Sequence, residues 1–130
     1  MDEFYPQAGH APLTPAVFHI LLALAGGERH GYAIMQEVRR QSGGQMRLGP
    51  GTLYGSLRRL LEEGLIEEMD SRPDPALDDE RRRYYRLTPE GRRAAETEAA
   101  RLDTLARAAR ARGLLPQPPG GEPAGVGGGA

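Results

Sequence analysis

The sequence has 130 residues with 17 basic and 18 acidic side chains and a formal net charge of −1, so it lacks the global basic excess that draws a protein to nucleic acid by charge alone. It has no cysteine, which excludes disulfides, thiol redox sensing and thiolate metal sites. No apolar run approaches the roughly 18 to 20 residues of a membrane span, and the opening MDEFYPQ lacks the basic start and apolar stretch of a secretory signal, so a cytoplasmic protein of one domain with no membrane partner is expected.

Residues 1–12, with Pro6, Gly9 and Pro12 and no periodicity, read as an N-terminal arm. A first helix is predicted from Thr14 as N-cap and Pro15 at the first helical position to Gly26-Gly27. Its apolar residues cover two faces, Val17, Ile20, Leu21 and Leu24 on one and Phe18, Leu22 and Ala25 on the other. One small core cannot hide both, so a partner surface is implied. HGYAIMQEVRRQS, closed by Gly43-Gly44, predicts a second helix with Arg39 and Arg40 exposed, and PGTLYGSLRRLLEE, stopped by Gly64, a third.

Past Gly64 the pattern changes to two short strand-like runs, LIEEM and RRRYYRL, separated by DSRPDPALDDE. A two-stranded hairpin with a long acidic tip follows, in which Glu67 and Glu68 can face arginines of the other strand. Thr88-Pro89-Glu90 repeats the helix-start signal, and a last helix is predicted to about Arg112. The tail from Gly113, rich in Pro and Gly, has too little apolar content to offset its ordering entropy and is expected to be flexible. Three helices and then a ribbon is the order of a winged helix. The expected class is mainly α, of the α+β kind: a winged helix-turn-helix over 13–87, a C-terminal dimerisation helix over 88–112, and a tail over 113–130.

The third helix carries two stripes. Leu53, Leu57, Leu60 and Leu61 form a core line, while Thr52, Gly55, Ser56 and Arg59 form a second line of small or hydrogen-bonding side chains. A helix lying in a major groove about 12 Å wide needs short side chains at closest approach and donors around them. Gly55 in mid-helix costs about 1 kcal/mol against Ala, which points to close approach of DNA or, alternatively, of another helix. Tyr54 and Arg58 flank the stripe, where they can reach phosphates; Tyr54 can equally be a half-buried core aromatic, and Arg58 and Arg59 can pair with Glu62 and Glu63 along the helix. In the second strand Arg82 and Arg86 are expected on the outer face, where they can clamp a DNA backbone, while Asp74, Asp78, Asp79 and Glu80 keep the tip away from phosphates. On the last helix Ala95, Ala99, Leu102, Leu105, Ala106 and Ala109 make a thin coiled-coil-like seam. It can fold back on its own domain or, with Phe18 and Leu22, build a twofold homodimer whose paired reading helices recognise a pseudo-palindromic site.

HGYAIMQEV, LGPGTLYGSLRRLLEEGLIEE and RRRYYRLTPEGRR, in this order across roughly residues 13–112, resemble the PadR family of transcriptional regulators. The single helix after the wing is similar to its short subfamily. The resemblance implies a winged helix whose first and last helices build the dimer, a repressor that releases double-stranded DNA on a signal, and DNA contacts at Thr52, Tyr54, Gly55, Ser56 and Arg59 with wing arginines on phosphates. Some short members hold flat aromatic drugs between paired tryptophans; this chain has no Trp, so that mode is not carried over.

No catalytic constellation is present to read. His10, His19 and His30 are scattered without ligand spacing, Ser56 has no activating partner in sequence, and GPGT lacks the P-loop lysine. No enzyme activity, metal or cofactor is expected. A small-molecule effector of unidentified chemistry, near Phe18, Leu22 and the last helix, is an expectation. The rival reading is a winged helix that binds protein without specific DNA recognition.

Overall fold

The computed structural model describes residues 12–73 and 81–118, with the side chains of 70–73, 81 and 82 excepted. Most of the N-terminal arm, the acidic wing tip and most of the tail lie outside the described residues, as does the side chain of Arg82. The chain divides into two compact units, residues 1–98 and residues 99–130.

The first unit begins with α1 (Pro15–Ala25). The Thr14 hydroxyl accepts the Val17 N–H at 3.2 Å, and Pro15 opens the helix without needing a donor. Beyond α1, the two-residue strand β1 (Arg29–His30) leads directly into α2 (Gly31–Gln41), whose N-cap is the ring of His30, with Nδ1 accepting from the Ala33 amide at 3.1 Å. Nδ1 as acceptor fixes the neutral ring's proton on Nε2. Next comes α3 (Pro50–Glu62), then β2 (Ile66–Pro73), β3 (Arg81–Leu87) and α4 (Pro89–Ala111). Among the described residues no helix is long and apolar enough to cross a membrane.

Three helices end in the same way. Gly43, Gly64 and Gly113 have positive φ, and in each case the following amide bonds back to a carbonyl in the last helical turn: Gly44 to Arg39, Leu65 to Leu60, Leu114 to Ala109. This is the Schellman motif, which glycine enters without a Cβ penalty.

The sheet is antiparallel with order β1-β3-β2. Ile66 pairs with Leu87, Glu67 with Arg86, Glu68 with Tyr85 and Met69 with Tyr84; the register then shifts before Arg72 pairs with Arg82, leaving one extra residue on β2. The expected two-stranded ribbon is therefore a three-stranded sheet, because Arg29 and His30 pair with Tyr85 and Tyr84. Two residues are too short a run to announce a strand in sequence. Arg29 holds the junction, its Nε donating to the Ala23 carbonyl at the end of α1 at 2.9 Å.

The core of this unit joins Ile20, Leu21 and Leu24 of α1, Ile34 and Val38 of α2, Leu53, Leu57 and Leu60 of α3, and Leu65, Ile66, Tyr85 and Ala94. Deleting one such leucine to alanine typically costs about 2–5 kcal/mol. The start of α4 is locked to the end of α3. Thr88 caps α4 by accepting the Gly91 amide at 3.0 Å, donates its hydroxyl to the Gly64 carbonyl at 2.6 Å, and donates its own amide to the Leu65 carbonyl at 3.1 Å. A Cβ at Gly91 would collide with the Leu65 carbonyl. Farther along α4, Glu98 is 4% exposed and accepts the Leu13 amide at 3.3 Å. In the second unit, Arg107 pairs with Asp103 at 3.0 Å and Arg110 donates to the Pro116 carbonyl at 2.9 Å.

Candidate nucleic-acid interface

The face of α3 opposite its buried leucines is open. Thr52, Gly55 and Arg59 are exposed and Ser56 is half-buried, so the line of short side chains drawn from the sequence is brought together on one side of one helix. A Cβ added at Gly55 meets nothing within 4 Å; no neighbouring element of the described chain requires the glycine. The N-terminus of α3 is also open, since Gly49 supplies no side-chain cap. Its first amide groups lack intrahelical acceptors and carry the positive end of the helix dipole.

Tyr54 is 45% exposed, and its ring stands over Gly31 at the start of α2: a Cβ at Gly31 would run into the Tyr54 hydroxyl and lie 2.8 Å from Cζ. Tyr54 therefore combines a packing role with an outward edge. Arg58 and Arg59 are exposed, and neither makes an ion pair or hydrogen bond among the described residues. The i, i+4 pairing with Glu62 and Glu63 does not form.

The ribbon contrasts with this face. Arg86 Nε lies 2.5 Å from Glu67 Oε2, and Arg83 Nη1 lies 2.8 Å from Glu68 Oε2, which is the cross-strand pairing anticipated from the sequence. Arg86 is on the exposed surface, as expected, but its fork is held by a carboxylate. Burial pushes the Tyr85 phenol up from its ordinary pKa, and the neighbouring Glu68 carboxylate and Tyr54 act in the same direction.

Arg39, expected from sequence to be exposed but given no role there, and Arg47, which carried no signal, belong to a second surface. They border a groove lined also by Tyr32, Met35, Gln36 and Leu48, and neither has a partner among the described residues. Tyr32, Met35, Gln36 and Arg39 share one helical line, a signal available from periodicity; Arg47 sits in a connection without period.

Of the surfaces expected to meet a second copy, Leu22 is 43% exposed and Phe18 and Ala95 are half-buried in the first unit. In the second unit Ala99, Leu102 and Leu105 are exposed, while Ala106 and Ala109 are half-buried. His10 lies outside the described residues; of the other two histidines, His19 has Nδ1 3.0 Å from Gln41 Nε2, and His30 caps α2. Among the described residues no group of three His, Asp or Glu side chains is placed to hold a metal ion.

The model of the transcriptional regulator PadR-like family matches residues 20–97. A transcriptional regulator of Mycobacterium tuberculosis is 39% identical over 89 residues, covering 68% of this chain and 77% of that protein. A 37.1 kDa transposon protein of Streptomyces fradiae is 41% identical over 86 residues; that match covers 66% of this chain but only 22% of the longer protein. Among solved structures, a PadR family transcription regulator from Clostridium difficile aligns with a TM-score of 0.62 at 25% identity, covering 74% of this chain and 95% of that one.

Proposed function

The chain belongs to the PadR-like family of transcriptional regulators, and from that premise we propose that it is a sequence-specific binder of duplex DNA that acts as a homodimeric repressor. In this reading α3 of each protomer enters a major groove, with Thr52, Gly55 and Ser56 at closest approach, Arg59 at base edges, and Tyr54 and Arg58 toward phosphates. The ribbon, with Arg82 and Arg86, follows the backbone. The single observation that carries this reading is the outward face of α3: short side chains with a glycine that no neighbour among the described residues demands, edged by two guanidiniums without counterions among those residues.

Self-association in this reading draws on some of the apolar side chains left exposed, Leu22 in the first unit and Leu102 and Leu105 in the second. A twofold pair would cover these residues, with Phe18, Ala95, Ala99, Ala106 and Ala109 around them, and would present two reading helices to a pseudo-palindromic operator. In this scheme residues 13–87 read DNA and 88–112 join the protomers.

Selection of bound duplexes from a random pool tests the reading. A symmetric enriched sequence is expected, bound two protomers per duplex, with affinity that falls steeply as salt rises. Arg59→Ala is expected to cost about 1–3 kcal/mol on the enriched duplex and to relax the preference at one position in each half-site. No enrichment, or binding indifferent to salt, would point instead to a protein-binding role.

A further inference from the structure

The outward line of α2 does not end in solvent. Tyr32, Met35, Gln36 and Arg39 form one wall of a shallow groove of about 250 Å³, and Arg47 and Leu48, on the way to α3, form the other. Local structure fixes this second wall. After the glycine turn at Gly43-Gly44, the Ser42 hydroxyl accepts the Met46 amide at 2.9 Å. Met46 and Leu48 pack against the core, and Arg47 between them is turned outward and exposed. Met35 and Leu48 make part of the lining apolar, and each wall carries a guanidinium.

Neither guanidinium is neutralised among the described residues. The adjacent Arg40 is: its Nε donates to Glu37 Oε1 at 3.0 Å, and that carboxylate is held below its usual range chiefly by this hydrogen bond. The one acid on this stretch of α2 is thus committed to Arg40 and, more distantly, Arg29, which leaves Arg39 and Arg47, both lining the groove, without a counterion among the described residues.

We infer that this groove holds a backbone phosphate of the duplex outside the segment read by α3, clamped between Arg39 and Arg47 with the Gln36 amide as a neutral donor. The inference rests on the DNA-binding reading above and adds a second binding surface to it. Three features favour phosphate over a small organic ligand. The groove is open and smaller than the roughly 300–1,000 Å³ of sites that enclose such ligands. Its charge is wholly positive, and guanidinium forks match phosphate oxygens. Arg47 also lies three residues before Pro50, the first residue of α3, so a phosphate here fixes how deep and in which register the helix N-terminus enters, without itself reading sequence.

The test uses the full chain and a duplex enriched by selection, with affinity followed from about 50 to about 200 mM salt. Arg39→Ala and Arg47→Ala are each expected to reduce the slope of log affinity against log salt by about 0.9 for each phosphate that the variant no longer neutralises. They weaken enriched and scrambled duplexes by the same factor, and Arg47→Lys retains the slope. In a second measurement that leaves the protein intact, a neutral methylphosphonate at one linkage outside the read segment weakens wild-type binding but leaves the Arg39→Ala/Arg47→Ala variant unaffected. Wild-type slope and affinity in the double variant, beside clear weakening by Arg59→Ala, would overturn the clamp and spare the DNA reading. A methylphosphonate effect that persists in the double variant would also overturn the clamp. If the wild-type protein binds no duplex at low salt, both fall together.

Discussion

The α2–α3 face and the ribbon look alike in sequence, as two arginine-rich stretches interleaved with tyrosine, yet the fold treats their charges in opposite ways. On α2, α3 and the connection between them Arg39, Arg47, Arg58 and Arg59 stand without partners among the described residues, whereas on the ribbon Arg83 and Arg86 are matched to Glu68 and Glu67. A chain with net charge −1 can thus still present a strongly positive surface, because pairing, and not the count of arginines, decides where the field emerges. To meet a phosphate in the proposed complex, a ribbon arginine would have to give up its carboxylate, and because exposed ion pairs are worth only about 0–1 kcal/mol, that exchange would be cheap but would give a smaller net gain than an unpaired guanidinium.

The largest expected effect bears on what the two surfaces share. Gly91 packs on the Leu65 backbone where α3 hands over to β2, so Gly91→Ala is expected to destabilise helices and ribbon together by roughly 3 kcal/mol, read as one cooperative shift in denaturant unfolding. Loosening of the ribbon alone in hydrogen exchange would show that the two are separately anchored. Next in size is the gap between Arg59→Ala, at about 1–3 kcal/mol of DNA affinity, and Arg86→Ala, expected to cost less than about 1 kcal/mol because Arg86 has to give up its pair with Glu67 to meet a phosphate. Equal losses would erase the distinction drawn from pairing. Glu67→Gln sharpens it from the other side: freeing Arg86 is expected to tighten DNA binding a few-fold and steepen its salt dependence.

The smallest effect concerns Tyr85, whose phenol the fold holds protonated to higher pH than the unfolded chain does. Its contribution is intact below the unfolded pKa of about 10 and is lost as pH rises through the folded value. Tyr85→Phe is therefore expected to flatten the alkaline fall in melting temperature while changing little near neutrality. An unchanged alkaline limb would remove Tyr85 from the account.

Punctuation made most of the architecture legible in advance. Thr14-Pro15, Gly49-Pro50 and Thr88-Pro89 start helices, Gly43, Gly64 and Gly113 stop them, and the leucine line of α3 named its buried face. Features created by distant segments were not legible. β1 exists only because β3 lies beside Arg29 and His30, the buried Glu98 meets the amide of Leu13 from 85 residues away, and Arg47 is turned outward by the packing of its two neighbours. The outer face of α3 was readable as a surface, but which arginines were uncommitted depended on where carboxylates came to lie in space.

The contact of Tyr54 with Gly31 limits how such a protein can be re-engineered. The rotational setting of α3, the helix proposed to read DNA, is keyed by a side chain that its neighbour lacks, so a graft that transplants α3 alone carries a key without its lock. Chimeras that exchange specificity with a relative should take Gly31 through Glu62 as one cassette; a helix moved singly into a scaffold with any larger residue at position 31 would be forced out of its present rotational setting.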